Sequence, residues 1–223
     1  MKKILFAISS AVLISACGGG DTAAGEKTKQ DSLPQTCTYS YDSSATTIGF
    51  GAFKFTEKKE VKGGFLKFTV DSTKEASEPF EVIEGAVFKI EIAGIDTKDA
   101  GRDFNIKSSL FGKMDSTSFI TGKIKDVQLS TAYNLGTKFS SGEGVLVVLK
   151  MNNVEVEKTL WLEINDQELK LSGTINLNDF KAQKALASLN KTCKDLHKGS
   201  DGKSVTWPEV NIYVSTTLKK NCK

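Results

Sequence analysis

The sequence predicts an all-β domain of about eight antiparallel strands, closed as a barrel or folded as a sandwich, with one substantial helix before the last strand. Three observations carry this expectation. Apolar and polar residues alternate with a period of two along much of the chain, the pattern of half-buried strands. Turn-forming residues interrupt the alternation at Gly63-Gly64, at 140–144 and at Asn152-Asn153. Only residues 178–196 place apolar anchors (Phe180, Leu186, Leu189 and Leu196) at helical spacing, with Asn178 or Asp179 as the cap.

From the N-terminus, Lys2 and Lys3 precede an apolar run too short for an ordinary membrane-spanning helix. Small residues then lead into Cys17, so residues 1–16 read as a lipoprotein signal peptide. Cleavage before Cys17 would expose it for acylation, with diacylglycerol on sulfur and a fatty acid such as palmitate on the amine. Residues 17–36 form the lipidated cysteine and a flexible tether of roughly 25 Å r.m.s. reach. Gly18 after the cysteine favours, in a Gram-negative host, the outer membrane facing the periplasm. Residues 37–223 then form one domain with a sizeable core.

Within that domain the strands read one by one. Ala86, Phe88, Ile90 and Ile92 share a face, as do Leu160, Leu162 and Ile164, then Leu169, Leu171, Ile175 and Leu177, then Val210, Ile212 and Val214. The segment 48–55 is apolar on both faces, Ile48 and Phe50 against Phe53 and Phe55. This is either a wall covered from outside or a phenylalanine-lined cavity. Cys37, Cys193 and Cys222 remain after Cys17 is acylated, enough for one disulfide in an oxidising compartment. Antiparallel pairing of the first and last strands would bring Cys37 to Cys222, with Cys193 to Cys222 as the alternative.

Charge and composition exclude several classes. The formal net charge is +3, and falls to +1 without Lys2 and Lys3. The lysines are scattered, which gives no electrostatic case for nucleic acid. His197 is the only histidine, at the lysine-rich end of the helix, where a solvated side chain is expected. No metal-ligand spacing, nucleophile elbow or phosphate loop is present. Asp96, Asp99 and Asp103 lack the spacing of a calcium loop. The expectation is a binding protein, with no metal and no catalytic residue.

Arg102 is the only arginine, the other 29 basic side chains being lysines. Its rigid fork suits bidentate pairing that lysine cannot imitate. It lies in a stretch that carries Ile95, Asp96, Thr97, Arg102, Asp103, Ile106, Lys107, Ser108 and Phe111. With residues 42–54 and 62–65 before it and 175–180 after it, this order resembles the YceI-like family, over about Tyr39 to Leu218. Two departures accompany the resemblance. Histidines common in that family are matched here by Ala45 and Lys54, and its usual Gly-Val-Thr hairpin by residues 152–157.

The resemblance implies a lipocalin-like barrel, periplasmic or secreted, that carries a polyisoprenoid or related long amphiphile. The expected function is therefore an envelope lipoprotein that sequesters or transports a long-chain lipid such as an isoprenoid, quinone or fatty amide, with no other cofactor. Candidate wall residues are Phe50, Phe53, Phe55, Phe65, Phe68, Phe88, Ile90, Phe104, Phe111, Phe119, Leu146, Val148 and Trp161. Arg102 and Asp103 are either a loop clamp or the polar mouth. The alternative is a non-enzymatic stress or protein-interaction module that presents loops 71–79 and 130–144 on a rigid platform. A homodimer is compatible with either.

Overall fold

Alternating residues become the staves of a closed barrel. The computed structural model describes residues 36–115, 118–128 and 144–223. The signal peptide, Cys17, the tether and loop 130–143 lie outside the described residues. The strands are β1 (Cys37–Ser40), β2 (Thr46–Lys54), β3 (Lys59–Phe65), β4 (Phe68–Asp71), β5 (Val87–Glu91) and β6 (Ile95–Asp96). They continue as β7 (Phe119–Gln128), β8 (Gly144–Met151), β9 (Val154–Asn165), β10 (Glu168–Asn176), β11 (Thr206–Thr217) and β12 (Lys219–Cys222). Two helices, α1 (Ala100–Asn105) and α2 (Gln183–Thr192), interrupt them.

Ten strands pair in the order β4-β5-β7-β8-β9-β10-β11-β2-β3-β6, every neighbour antiparallel. The two ends of that order meet. β3 and β4 are successive pieces of one bent strand, and so are β5 and β6. Phe65 lies opposite Ile95 and Phe68 opposite Ile90. Between these pairs Leu66 N–H donates to the Gly94 carbonyl (2.8 Å) and Glu91 N–H to the Lys67 carbonyl (2.9 Å). The ring thus closes with the eight staves expected, and closure removes the unpaired edges of an open sheet.

The turns follow from local chemistry. Met151 pairs with Val154 across Asn152 and Asn153, whose φ values of 54° and 58° suit a two-residue hairpin. Gly63-Gly64, expected to be a turn, instead lies inside β3. A Cβ at Gly63 would sit 2.5 Å from the Phe50 ring and 2.7 Å from the Thr97 methyl, so the glycine makes room inside the wall. Pro208 cannot donate to the ladder, and the β11–β2 register slips between Thr206 and Val210.

The helical stretch expected at 178–196 is shorter, Gln183–Thr192, with Ala182 at its N-cap and turns on both sides. Asn178 and Asp179 belong to the preceding turn. A second helical stretch, unforeseen, runs through α1 into a π-helical turn at Ile106–Leu110. Asp99 caps it by accepting from Arg102 N–H at 2.9 Å.

Cys37 and Cys222 are disulfide-bonded, as preferred, and Cys193 is free and buried. They join β1 and β12, which form a separate two-stranded ribbon. β2 runs from Thr46 to Lys54 beside β11, with Thr216 opposite Thr46 and Thr206 opposite Lys54. Lys54 and Thr206 therefore mark one end of the barrel, and the ribbon the other.

Two cores match those ends. At the ribbon end, Val82, Ala86, Val145, Leu162, Ile164 and Leu169 pack with Tyr39 and Leu218. At the opposite end, Leu186 and Leu189 of α2 pack with Ile95, Leu110, Phe111 and the fully buried Phe180. Full burial of a phenylalanine contributes about 1.5–3 kcal/mol. Both cores and the disulfide lie inside one compact unit, Gln35–Lys223.

Candidate functional site

Inward-facing strand residues leave the barrel interior partly open. One chamber of about 310 Å³ lies under the helices, and a second of about 140 Å³ lies deeper, towards the ribbon. They meet across Phe65, Ile120, Met151, Ile175 and Ile212, which line both. The deep chamber is lined almost wholly by aliphatic and aromatic side chains such as Ile83, Ala86, Phe88 and Leu149. Such a shape suits an apolar chain.

Among the thirteen expected wall residues, Phe50, Phe53, Phe65 and Phe111 line the outer chamber, and Phe65, Phe88 and Ile90 the deep one. The Phe50 and Phe65 rings lie 5.5 Å apart, tilted by 50°. Phe68 lines neither chamber. Phe55 occupies the turn after β2 at φ 64° and is also outside them. Leu146 and Val148 alternate with the buried Val145 and Val147, and so stand on the outer face of β8. Phe104, Phe119 and Trp161 are exposed. Lys89 Nζ covers the Phe119 ring at 3.7 Å, and Trp161 borders a groove on the outer wall beside Tyr213.

The polar mouth is built from parts far apart in sequence. Lys54 ends β2, Arg102 comes from α1, and His197 follows the turn after α2; all three line the outer chamber. Trp207 joins them because the ladder breaks at Pro208, and its Nε1–H donates to the Phe55 carbonyl at 2.6 Å. Lys54 Nζ donates to the Leu196 carbonyl at 3.3 Å. His197 is half-buried, with Nδ1 2.6 Å from Thr206 Oγ1, rather than solvated as expected. In the sequence His197 stood out only as the one histidine and Lys54 only as a departure from the family pattern, and Trp207 did not stand out at all.

Arg102 and Asp103 differ in their partners. Asp103 Oδ1 accepts from Thr97 N–H (2.9 Å) and from Thr97 Oγ1–H (2.6 Å), with Thr97 buried. That carboxylate is a loop clamp. Arg102 makes two long contacts, Nη1 to the Thr97 carbonyl and Nη2 to Asp99 Oδ2, both 3.4 Å. It also lines the chamber, with its side chain 38% exposed.

The mouth is electropositive. Burial, then the charges of Arg102 and Lys59, hold the Lys54 ammonium below its ordinary pKa. Burial, then Lys54 and Arg102, push the His197 imidazole down, favouring its neutral form. Burial raises the Cys193 thiol, against the opposing effects of an Asn105 hydrogen bond and Lys54. Asp99 faces the same space; the Arg102 backbone N–H, then the Arg102 charge, hold its carboxyl down. Among the described residues no group of three His, Cys, Asp or Glu is placed to hold a metal ion.

Comparison with known proteins places this architecture. No curated protein sequence matches the chain. A polyisoprenoid binding domain from Saccharophagus degradans implicated in plant cell wall breakdown superimposes with a TM-score of 0.55 at 12% identity, covering 84% of this chain and 100% of its own. BcnA of Burkholderia cenocepacia gives 0.53 at 15% identity, covering 81% and 99%. The YceI protein of Campylobacter jejuni gives 0.50 at 17% identity, covering 77% and 90%. At these identities the likeness concerns the fold. The YceI-like domain itself matches residues 39–218, and the chain therefore belongs to the YceI-like family.

Proposed function

We propose that this chain is an envelope lipoprotein whose barrel takes up the apolar chain of a long amphiphile, for sequestration or transport, without catalysis. The observation that carries the reading is the pair of adjoining apolar chambers beneath a single polar mouth. A structural neighbour described as a polyisoprenoid binding domain supports an isoprenoid as the ligand class, and the apolar tail of a quinone or fatty amide would suit the same chambers. Each buried methylene contributes about 0.8 kcal/mol, so ten give about 8 kcal/mol before the cost of ordering the chain. That gross figure corresponds to about micromolar affinity. In the same proposal Cys17 carries the acyl chains that hold the protein at the membrane.

The test is native mass spectrometry of residues 36–223, secreted to an oxidising compartment and purified without detergent, alongside an organic extract of the same sample. A stoichiometric long-chain amphiphile, or uptake of added isoprenoid, quinone or fatty amide by the empty protein, supports the reading. A protein that is empty and takes up none of them refutes it. For the anchor, the full chain should incorporate labelled palmitate and the Cys17→Ser chain should not.

A further inference from the structure

We propose that the mouth selects a single-chain amphiphile with a compact anionic head, a carboxylate or phosphate monoester, in preference to a neutral head of the same chain. The inference rests on the amphiphile reading and narrows it from three sides.

The first is the set of partners at the mouth. Among the described residues the hydrogen-bond acceptor for Lys54 Nζ is the uncharged Leu196 carbonyl. Arg102 has one carboxylate partner, Asp99, at a long 3.4 Å, while Asp99 already caps α1 through the Arg102 backbone N–H. Asp103, which follows Arg102 in the chain, is taken up by Thr97. Asp99 thus faces two cations in the lining, with Lys59 adding its charge from the start of β3.

The second is what a ligand would do there. A head seated among these groups removes water from Lys54 and Arg102. An anion offsets that desolvation best, because it adds ion–ion attraction to the hydrogen bonds that either kind of head can accept from the two cations. Burial is the first cause of the depressed titration of Lys54 and His197, and neighbouring cations push both in the same direction.

The third is capacity. The two chambers hold about 450 Å³ together, from their separate volumes of about 310 and 140 Å³. At about 30 Å³ per methylene, the share of one water molecule in the liquid, this accommodates about fifteen carbons. A single fatty chain or a short isoprenoid fills such a space, whereas a polyisoprenoid several times longer would leave most of its length outside.

The experiment uses the ligand-free chain of residues 36–223 and two matched pairs: palmitate with palmitamide, and farnesyl phosphate with farnesol. Affinities are read by displacement of a fluorescent fatty reporter at about pH 8, where both anionic heads are ionised. The expected result is a preference of at least about tenfold for the anion in one or both pairs. The pair that shows it distinguishes carboxylate from phosphate as the source. Lys54→Gln should bring the members of that pair to within about twofold, and Lys54→Arg should preserve the preference. Equal binding of anion and neutral partner in the wild type overturns the head assignment while leaving the amphiphile reading intact. A preference that survives Lys54→Gln also overturns the assignment. Failure to bind any of the four overturns the amphiphile reading itself.

Discussion

Ala86→Leu should shorten the ligand that the barrel can hold without touching its mouth. Ala86 is fully buried and lines the deep chamber of about 140 Å³. That space holds about five methylenes at about 30 Å³ each. The leucine adds three carbons and displaces about three ligand methylenes. At about 0.8 kcal/mol each, the loss is about 2.4 kcal/mol, or about 60-fold in affinity. A ten-carbon chain fits the outer chamber of about 310 Å³ and should bind unchanged, whereas a sixteen-carbon chain must reach the deep one. Competition titrations with decanoate and palmitate read the difference. Ala86 also packs in the ribbon-end core, so Tm is read alongside, and a loss of no more than about 1–3 kcal/mol in stability is expected from the added volume. An equal loss for both chains, or no loss for palmitate, would refute the path of the tail drawn here.

Three further outcomes test the frame around the site. The Cys37–Cys222 bond closes a separation of 185 residues, so chain entropy assigns it up to about 5 kcal/mol. The double serine variant should then melt about 13 °C lower by calorimetry, and an unchanged Tm would show that the ribbon forms without the bond. Asp103→Ala strands the buried Thr97 N–H and leaves its hydroxyl a long contact to the Asp99 carbonyl (3.4 Å), and urea unfolding should report a loss of about 1–3 kcal/mol; Asp103→Asn, which keeps an acceptor, should cost about half as much or less. His197 titrates below its ordinary value when folded, so its contribution is complete above about pH 6.5 and is lost as the pH falls through the depressed value. Wild type should therefore lose more Tm than His197→Gln between about pH 7.5 and 5, and parallel curves would count against the buried neutral imidazole.

The staves were legible wherever one face is apolar and the other polar. Leu160, Leu162 and Ile164 alternate with Trp161 and Glu163, and all three are buried. The Cys37–Cys222 bond was favoured on the supposition that the first and last strands pair antiparallel, as β1 and β12 do. Where both faces are apolar, period two leaves the phase open. On β8 either Leu146 and Val148 or Val145 and Val147 could point inward, and Val145 and Val147 do. That choice is made by tertiary pairing, with Val145 opposite Leu160, which local sequence does not contain. Gly101 and Asn105 are weak helix formers, and α1 is too short for an apolar stripe, so this helix was not readable in the sequence. The mouth was least legible of all. Lys54, Arg102, His197 and Trp207 converge through the β2–β11 register, the π-helical turn and the break at Pro208, none of which is a motif.

The ribbon has a mechanical meaning. A pull on the chain ahead of Thr36 meets the Cys37–Cys222 bond and the backbone pairing of Thr36 with Lys223 before it meets any stave. The load passes directly between the two ends of the domain at its base, in parallel with the wall rather than through it. The mouth, bounded by Lys54 and Thr206 at the far end of β2 and β11, lies off that line of force. On the proposed tether and amphiphile reading, such a barrel would exchange its contents while tension at the other end rises and falls.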